Sequence, residues 1–253
     1  MNRILFENDE IREGVVTFGD ARADHVLNVL HGEVGQILKT GEVNGFVGTS
    51  VITEIARTGE TSASPGEGSL VKVRCNHREE SLRPWIDLIL APPRPRVMKR
   101  LLPQLAAMGV GRIILVGAKK VEKDFWGATL LKPENYRPLL VDGLMQAGTS
   151  ILPSLEIRRN FRKFVKDELD ALFPSALRIV AHPYDGNRTV EQPNNRTIFP
   201  LLAVGPEGGW TDEEVALLEA HGFVRYSLGS RILRTDTATI ALLAQLMKEY
   251  DRC

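Results

Sequence analysis

Two kinds of hydrophobic pattern divide this chain. Up to about residue 75 the apolar positions fall in runs broken by glycine or charge: Ile4–Phe6, Gly14–Phe18, Gln36–Lys39, Phe46–Ile55 and Leu70–Val73. Runs bounded by turn residues in this way predict strands. Val43, Asn44 and Gly45 form a hairpin turn of the Asn-Gly kind. One helix interrupts the strands, from Ala21 to Leu30, with Asp20 as its cap and Val26, Leu27, Val29 and Leu30 as its apolar face. Five strands and a helix predict a small β-barrel. The polar run 59–69, GETSASPGEGS, predicts an exposed hairpin loop within it.

From Pro84 onward strands alternate with helices. The pattern predicts strands at Trp85–Leu90, Arg112–Val116, Leu177–Ala181, Leu201–Val204 and Phe223–Leu228. It predicts helices at Arg96–Met108, Glu134–Gln146 and Phe161–Phe173, with Pro103 an awkward interior residue in the first. Such alternation implies a mostly parallel sheet covered on both faces, an α/β domain. The charged stretch Asn76–Arg83 marks the boundary, which gives domains at 1–78 and 79–253.

Two stretches near the end carry the densest signal. In LLAVGPEGGWTDEEV, the apolar strand Leu201–Val204 runs into Gly205, Pro206, Glu207, Gly208 and Gly209. A helix follows, with Thr211 and Glu214 spaced as a capping box. In SLGSRILRTDTATIALLAQL, Gly229 breaks a strand, and Thr235 or Asp236 is placed to cap a long apolar helix through Met247. Glycines let backbone approach a ligand closely, and ligands of open α/β sheets sit at the carboxyl ends of strands. Either loop alone is equally well read as a plain turn; together they make a cradle.

Charge changes the picture more than composition does. The whole chain is neutral, with 32 basic and 32 acidic side chains. Residues 1–80 hold 8 basic and 13 acidic groups, a net of −5. Residues 81–170 hold 16 and 9, a net of +7, and residues 171–253 hold 8 and 10, a net of −2. The central third is therefore basic. Arg94, Arg96, Lys99 and Arg100 cluster at a helix start, and Lys119, Lys120 and Lys123 precede Phe125 and Trp126. These seven residues read either as a solvated face or as an RNA-contacting patch that tracks phosphates. Cys75 and Cys253 are too far apart in sequence for a disulfide framework or zinc pattern, and the histidines lack ligand spacing, so no metal is expected. No apolar run reaches membrane-spanning length, and the start of the chain lacks a signal-peptide segment, which together predict a cytoplasmic protein without a membrane partner.

The pairing of GPEGG with LGSRILRTDTA resembles the signature of the SPOUT methyltransferases, specifically the bacterial 16S rRNA uridine-N3 methyltransferases of the RsmE type. The match is dense over 201–246 and thinner upstream. The resemblance implies a SPOUT-type α/β trefoil-knot domain preceded by a small PUA-like β-barrel domain that binds RNA. It also implies a homodimer, with ribosomal RNA or the small ribosomal subunit as partner. The implied cofactor is S-adenosyl-L-methionine, held by His182, Pro183, Val204, Gly205, Pro206, Glu207, Gly208, Gly209, Leu228, Gly229, Ile232 and Leu233. For the implied chemistry, Arg231 and Arg234 are the candidates to stabilise a uridine anion, and Glu207 to act as base or orienting group. The chain departs from the family at Asn28 and His31, where arginines are usual, and at Gly148–Thr149, where Gly-Arg is frequent. Two other readings stay open here: methylation of another RNA position or of a ribose 2′-hydroxyl, and a non-catalytic ribosome-binding assembly factor.

Overall fold

The computed structural model describes residues 2–56, 69–183 and 199–250. Of the predicted loop at 59–69 only Ser69 falls within them, and Cys253 lies outside. Two compact units form. The first comprises Met1–Leu82 with Leu144–Leu152, and the second Arg83–Gly143 with Pro153–Cys253.

The first unit holds strands β1 (Ile4–Phe6), β2 (Val15–Phe18), β3 (Ile37–Glu42), β4 (Val47–Ala56) and β5 (Leu70–Glu79). They form one sheet in the order β1-β3-β4-β5-β2. β1 runs parallel to β3, and the other pairings are antiparallel. The Asn-Gly turn joins β3 to β4: Asn44 takes the left-handed conformation at φ 60°, and the Gly45 N–H reaches the Glu42 carbonyl at 2.9 Å. Alternate residues Val71 and Val73 on β5, with Ile52, Leu38 and Phe18, point into a closed apolar core.

The predicted helix at 21–30 is shorter than its pattern. Asp20 caps it, accepting the Arg22 N–H, but α1 covers only Ala21–Asp24 before a wider turn over His25–Val29. The expected apolar face is broken by that widening. Val26 is buried, whereas Val29 is 62% exposed and Leu30 lies at the surface. Period-3.6 spacing places residues on one face only while the helix keeps its pitch.

The second unit contains β6 (Ile86–Leu90), α2 (Pro95–Ala107), β7 (Val110–Val116), α3 (Pro133–Ala147, which ends in the first unit) and β8 (Ser154–Arg158). It continues with α4 (Phe161–Asp167), α5 (Leu169–Leu172), β9 (Leu177–Ala181), β10 (Pro200–Val204), α6 (Asp212–Ala220), β11 (Val224–Tyr226) and α7 (Thr235–Tyr250). Its sheet is wholly parallel, in the order β11-β9-β10-β6-β7-β8. The central strands β6 and β10 are buried at every residue, as a parallel sheet with helices on both faces requires.

β8 escaped the pattern because it is polar. Its sequence SLEIR sits at the sheet edge, where Arg158 pairs with Glu156 and Glu168 at 3.0 and 2.7 Å. Charges of this kind blunt edges against further pairing. Pro103 does not break α2, which runs through it to Ala107. The predicted helix at 161–173 is interrupted at Glu168 into α4 and α5. No described helix is long and apolar enough to cross a membrane.

Candidate functional site

Strand order positions the site. Successive strands β6, β7 and β8 run toward one edge, while β9 and β11 lie on the other side and β10 inserts between β9 and β6. The carboxyl ends of β9, β10 and β11 therefore come together where the winding reverses, the usual place for a ligand crevice. Three chain segments leave these strand ends and enclose a cavity of about 490 Å³, within the range of small-molecule sites.

The first segment leaves β10. Val204, Gly205 and Pro206 are buried, and Glu207 and Gly208 are exposed at the mouth. The Gly209 N–H closes a turn onto the Pro206 carbonyl at 2.7 Å, and Gly209 sits at φ 70°, a conformation side-chain-bearing residues rarely adopt. At Gly205 a Cβ would lie 3.1 Å from the Trp210 ring and from its backbone nitrogen. Trp210 is pinned against Phe161, ring centres 5.2 Å apart. Its buried Nε1 has no hydrogen-bond partner among the described residues.

Helix α6 then begins with the capping box that the sequence shows. Thr211 accepts the Glu214 N–H, and the Glu214 carboxylate accepts the Thr211 N–H at 2.9 Å. Glu214 does more than cap. Its second oxygen accepts the Lys119 N–H at 2.7 Å, which fastens the segment after β7 to the glycine loop. The buried Glu214 was legible as a cap and not as this tie, since its partner lies 95 residues away.

The second segment leaves β9. The His182 N–H donates to the Tyr226 carbonyl at 3.0 Å, and His182 and Pro183 form one wall. The third leaves β11. Ser227 Oγ accepts the Gly229 N–H at 3.2 Å and lies 3.3 Å from the Pro183 carbonyl, so the second and third segments are joined. Gly229 sits at φ 123°. Leu228, Ile232 and Leu233 line the cavity while remaining 39%, 70% and 38% exposed, an open apolar rim.

Helix α7 closes the site from below. Thr235 and Asp236 fall in its first turn, and the Thr235 hydroxyl turns to the Gly205 carbonyl at 3.2 Å. Thr235 thus links the third segment to the first. Thr235, Ala238 and Leu242 all reach the cavity.

All the residues assigned above to a cofactor line this one cavity, and Arg231 joins them. Arg234 does not; it is exposed just before α7, where its carbonyl accepts the Ala238 N–H. The basic residues gather nearby. Arg94 pairs with Glu122 at 3.0 Å, which brings the start of α2 beside the Lys119–Lys123 segment. Arg100 lies 3.9 Å from Asp236 of α7, and Lys120 itself lines the cavity. Arg96, Lys99, Lys119 and Lys123 are exposed.

A sequence model of the RNA methyltransferase domain matches residues 79–247. The ribosomal RNA small subunit methyltransferase E of Treponema pallidum is 30% identical over 98% of this chain and 91% of that protein. The chain belongs to the ribosomal RNA small subunit methyltransferase E family. The methyltransferase E structure from Neisseria gonorrhoeae, bound to S-adenosyl methionine, superposes with a TM-score of 0.74 over the whole of both chains, at 20% identity. A Legionella pneumophila methyltransferase in complex with the same cofactor superposes with a TM-score of 0.72 at 25% identity, covering 98% of this chain and 97% of that one. The fold of the methyltransferase E family is thus the fold of this chain.

Proposed function

We propose that this protein methylates N3 of a uridine in 16S ribosomal RNA, with S-adenosylmethionine as methyl donor. The observation that carries the reading is the convergence of the two glycine loops and the His182–Pro183 turn on one cavity of about 490 Å³, with Glu207 and Arg231 in its lining.

The lining suits the cofactor. Gly205 lines the cavity and lets Trp210 pack closely behind it, since a Cβ there would lie 3.1 Å from the Trp210 ring. The buried Trp210 Nε1 is a donor in want of an acceptor. Leu228, Ile232 and Leu233 offer apolar surface for adenine, and the backbone of 204–209 and 228–233 offers donors and acceptors for the polar parts. When bound, the cofactor supplies an electrophilic methyl group on a sulfonium sulfur.

This chain's own residues then have three tasks. Glu207, at the mouth, takes the proton that uridine N3 carries at neutral pH, or orients the base. Arg231 stabilises the negative charge that spreads to the uridine oxygens as that proton leaves. Arg234, outside the cavity lining, serves the same charge or a phosphate from the RNA side. The N3–carbon bond forms as the carbon–sulfur bond breaks, and the donor leaves as S-adenosylhomocysteine. Holding base and methyl in line supplies on the order of 7–11 kcal/mol without a metal.

The basic residues Arg94, Arg96, Lys99, Arg100, Lys119, Lys120 and Lys123 are read as phosphate contacts around the mouth. Residues 79–253 are read as the catalytic domain, with the trefoil knot at its carboxyl end and a homodimer through that region. Residues 1–78 are read as a PUA-like barrel, and the whole as a cytoplasmic protein acting on the small subunit.

Calorimetric titration with S-adenosylmethionine, then mass mapping of 16S rRNA incubated with protein and cofactor, tests the reading. Binding with a new N3-methyluridine is the expected result. A methyl group on another atom moves the substrate, and a folded protein that binds no cofactor removes the enzyme.

A further inference from the structure

The cavity described above carries more charge than a nucleoside needs. Lys120, Glu207, Asp212 and Arg231 all belong to its lining. The reaction proposed above employs Glu207 and Arg231 toward uridine, which leaves one cation and one anion without a task. Asp212 is one of three consecutive carboxylates in the first turn of α6, with Glu213 and Glu214. The other two are committed. Glu214 is buried and holds Thr211 and the Lys119 N–H. Glu213 pairs with Arg162 on α4. Asp212 is exposed, lines the cavity and enters no hydrogen bond or ion pair with another described residue. An acid in a first turn suits the helix dipole, but the dipole does not require one in a cavity wall.

Lys120 is the matching cation. Its ammonium donates to the Gly208 carbonyl at 2.8 Å, which uses one of its three protons and leaves the others for a ligand. Gly208 lies in the turn that the Gly209 N–H closes onto the Pro206 carbonyl at 2.7 Å, and α6 opens shortly beyond it, at Asp212. Cation and anion thus stand at the two ends of one short stretch, 208–212. Neither adenine nor ribose carries a charge that calls for such a pair. An α-amino acid does. Its ammonium and carboxylate sit on one carbon, so one anion and one cation set close together recognise it, each through charge-assisted hydrogen bonds.

We propose that Asp212 and Lys120 form the subsite for the amino-acid end of the methyl donor: the Asp212 carboxylate accepts from the α-ammonium, and the Lys120 ammonium donates to the α-carboxylate. The proposal rests on the methyltransferase reading above and assigns these two residues a part of the cofactor. The apolar rim of Leu228, Ile232 and Leu233 is left to adenine. The product S-adenosylhomocysteine keeps the same amino-acid end. The subsite therefore holds substrate and product alike, and binding of that uniform kind lowers KM without raising kcat.

The test is calorimetric titration of the full chain and of Asp212→Asn with four ligands. S-adenosylmethionine and S-adenosylhomocysteine carry both tail charges, decarboxylated S-adenosylmethionine carries only the ammonium, and 5′-methylthioadenosine carries neither. Asp212→Asn is expected to weaken the first three about tenfold, the scale of one hydrogen bond to a charged group, and to leave methylthioadenosine unchanged. Lys120→Met is expected to lose more against S-adenosylmethionine than against its decarboxylated form. S-adenosylhomocysteine is the decisive ligand. It is neutral overall, so Asp212 affects it only through a local contact with its tail. A loss confined to the two sulfonium ligands would assign Asp212 to the sulfonium and overturn the proposal. Equal affinities with a lowered melting temperature would leave Asp212 to the helix dipole and overturn it too. In methyl transfer, Asp212→Asn should raise KM for the donor with kcat unchanged. If the parent protein binds none of the four ligands, the methyltransferase reading falls and the subsite with it. If the parent binds them and the variant binds them equally well, the subsite alone falls.

Discussion

The Lys120 ammonium donates to the Gly208 carbonyl at 2.8 Å, across 88 residues of sequence. Lys120 follows β7, and Gly208 follows β10. A side chain whose sequence context fits either a solvated face or a phosphate patch thus reaches the glycine loop and lines the cavity. Lys120→Met keeps the length and removes the donor. Because the bond is exposed, its contribution is about 1 kcal/mol, so cofactor affinity should fall about fivefold with little change in melting temperature. Calorimetry with S-adenosylmethionine checks this, and an affinity equal to wild type would mean that the contact does not shape the loop.

The glycines of the loop are not equivalent. A Cβ at Gly208 would come to 3.0 Å of Lys120 Cδ, the movable part of a flexible chain. A Cβ at Gly205 would come to 3.1 Å of the Trp210 nitrogen and ring, which the Phe161 contact holds. Gly205→Ala is therefore expected to weaken cofactor binding at least tenfold, and Gly208→Ala about two- to threefold. Titration of both variants decides it; a reversed order would remove Trp210 as the rigid wall.

Glu214 holds three donors at once: the Thr211 N–H, the Thr211 hydroxyl and the Lys119 N–H. Glu214→Ala strips the α6 cap and leaves the Lys119 N–H without its acceptor. The expected loss is about 2–3 kcal/mol in urea unfolding, from the cap and one part-buried donor. Lys120 follows directly in the chain, so cofactor affinity should fall as well. A stability loss under 1 kcal/mol would show the tie to be dispensable.

Burial on β6 pushes Asp87 up to about 6 from 3.8, against the opposing pull of Arg112 at 3.7 Å. A carboxyl raised on folding binds its proton more tightly in the native state. Its contribution is therefore most favourable below about pH 4, falls away between about pH 4 and 6, and is constant above. Comparison with Asp87→Asn isolates this group from Glu10, Asp170 and Glu219, which are lowered by Arg22, Arg178 and Arg225 and act in the opposite sense. From pH 4 to 6 the parent should lose stability relative to the variant, by up to about 1.4 kcal/mol per pH unit. Denaturant unfolding across that range measures it, and parallel curves would place the Asp87 carboxyl in solvent.

Local sequence was sufficient wherever the cause is local. The central strand β10 is a continuous apolar run, and the pattern predicts β9 at its observed bounds. The Asn-Gly turn and the Thr211–Glu214 box each depend on residues within four positions of one another. Glycines at two strand ends pointed to the loops that line the cavity, because few other residues permit such backbone.

What depended on distant partners was decided only by the fold. The polar edge strand β8 has no apolar run and exists through its pairing with β7. The union of Leu144–Leu152 with the first unit joins residues some 140 positions apart, as in the Asn2 N–H to Met145 carbonyl bond. The sequence offers Thr235 or Asp236 as the cap of α7; both fall inside its first turn, and the Thr235 hydroxyl goes to Gly205, 30 residues away. The net charge of −5 over residues 1–80 describes a composition. Strand register distributed that charge over faces, and it left Lys39, Lys72 and Arg74 together on one of them.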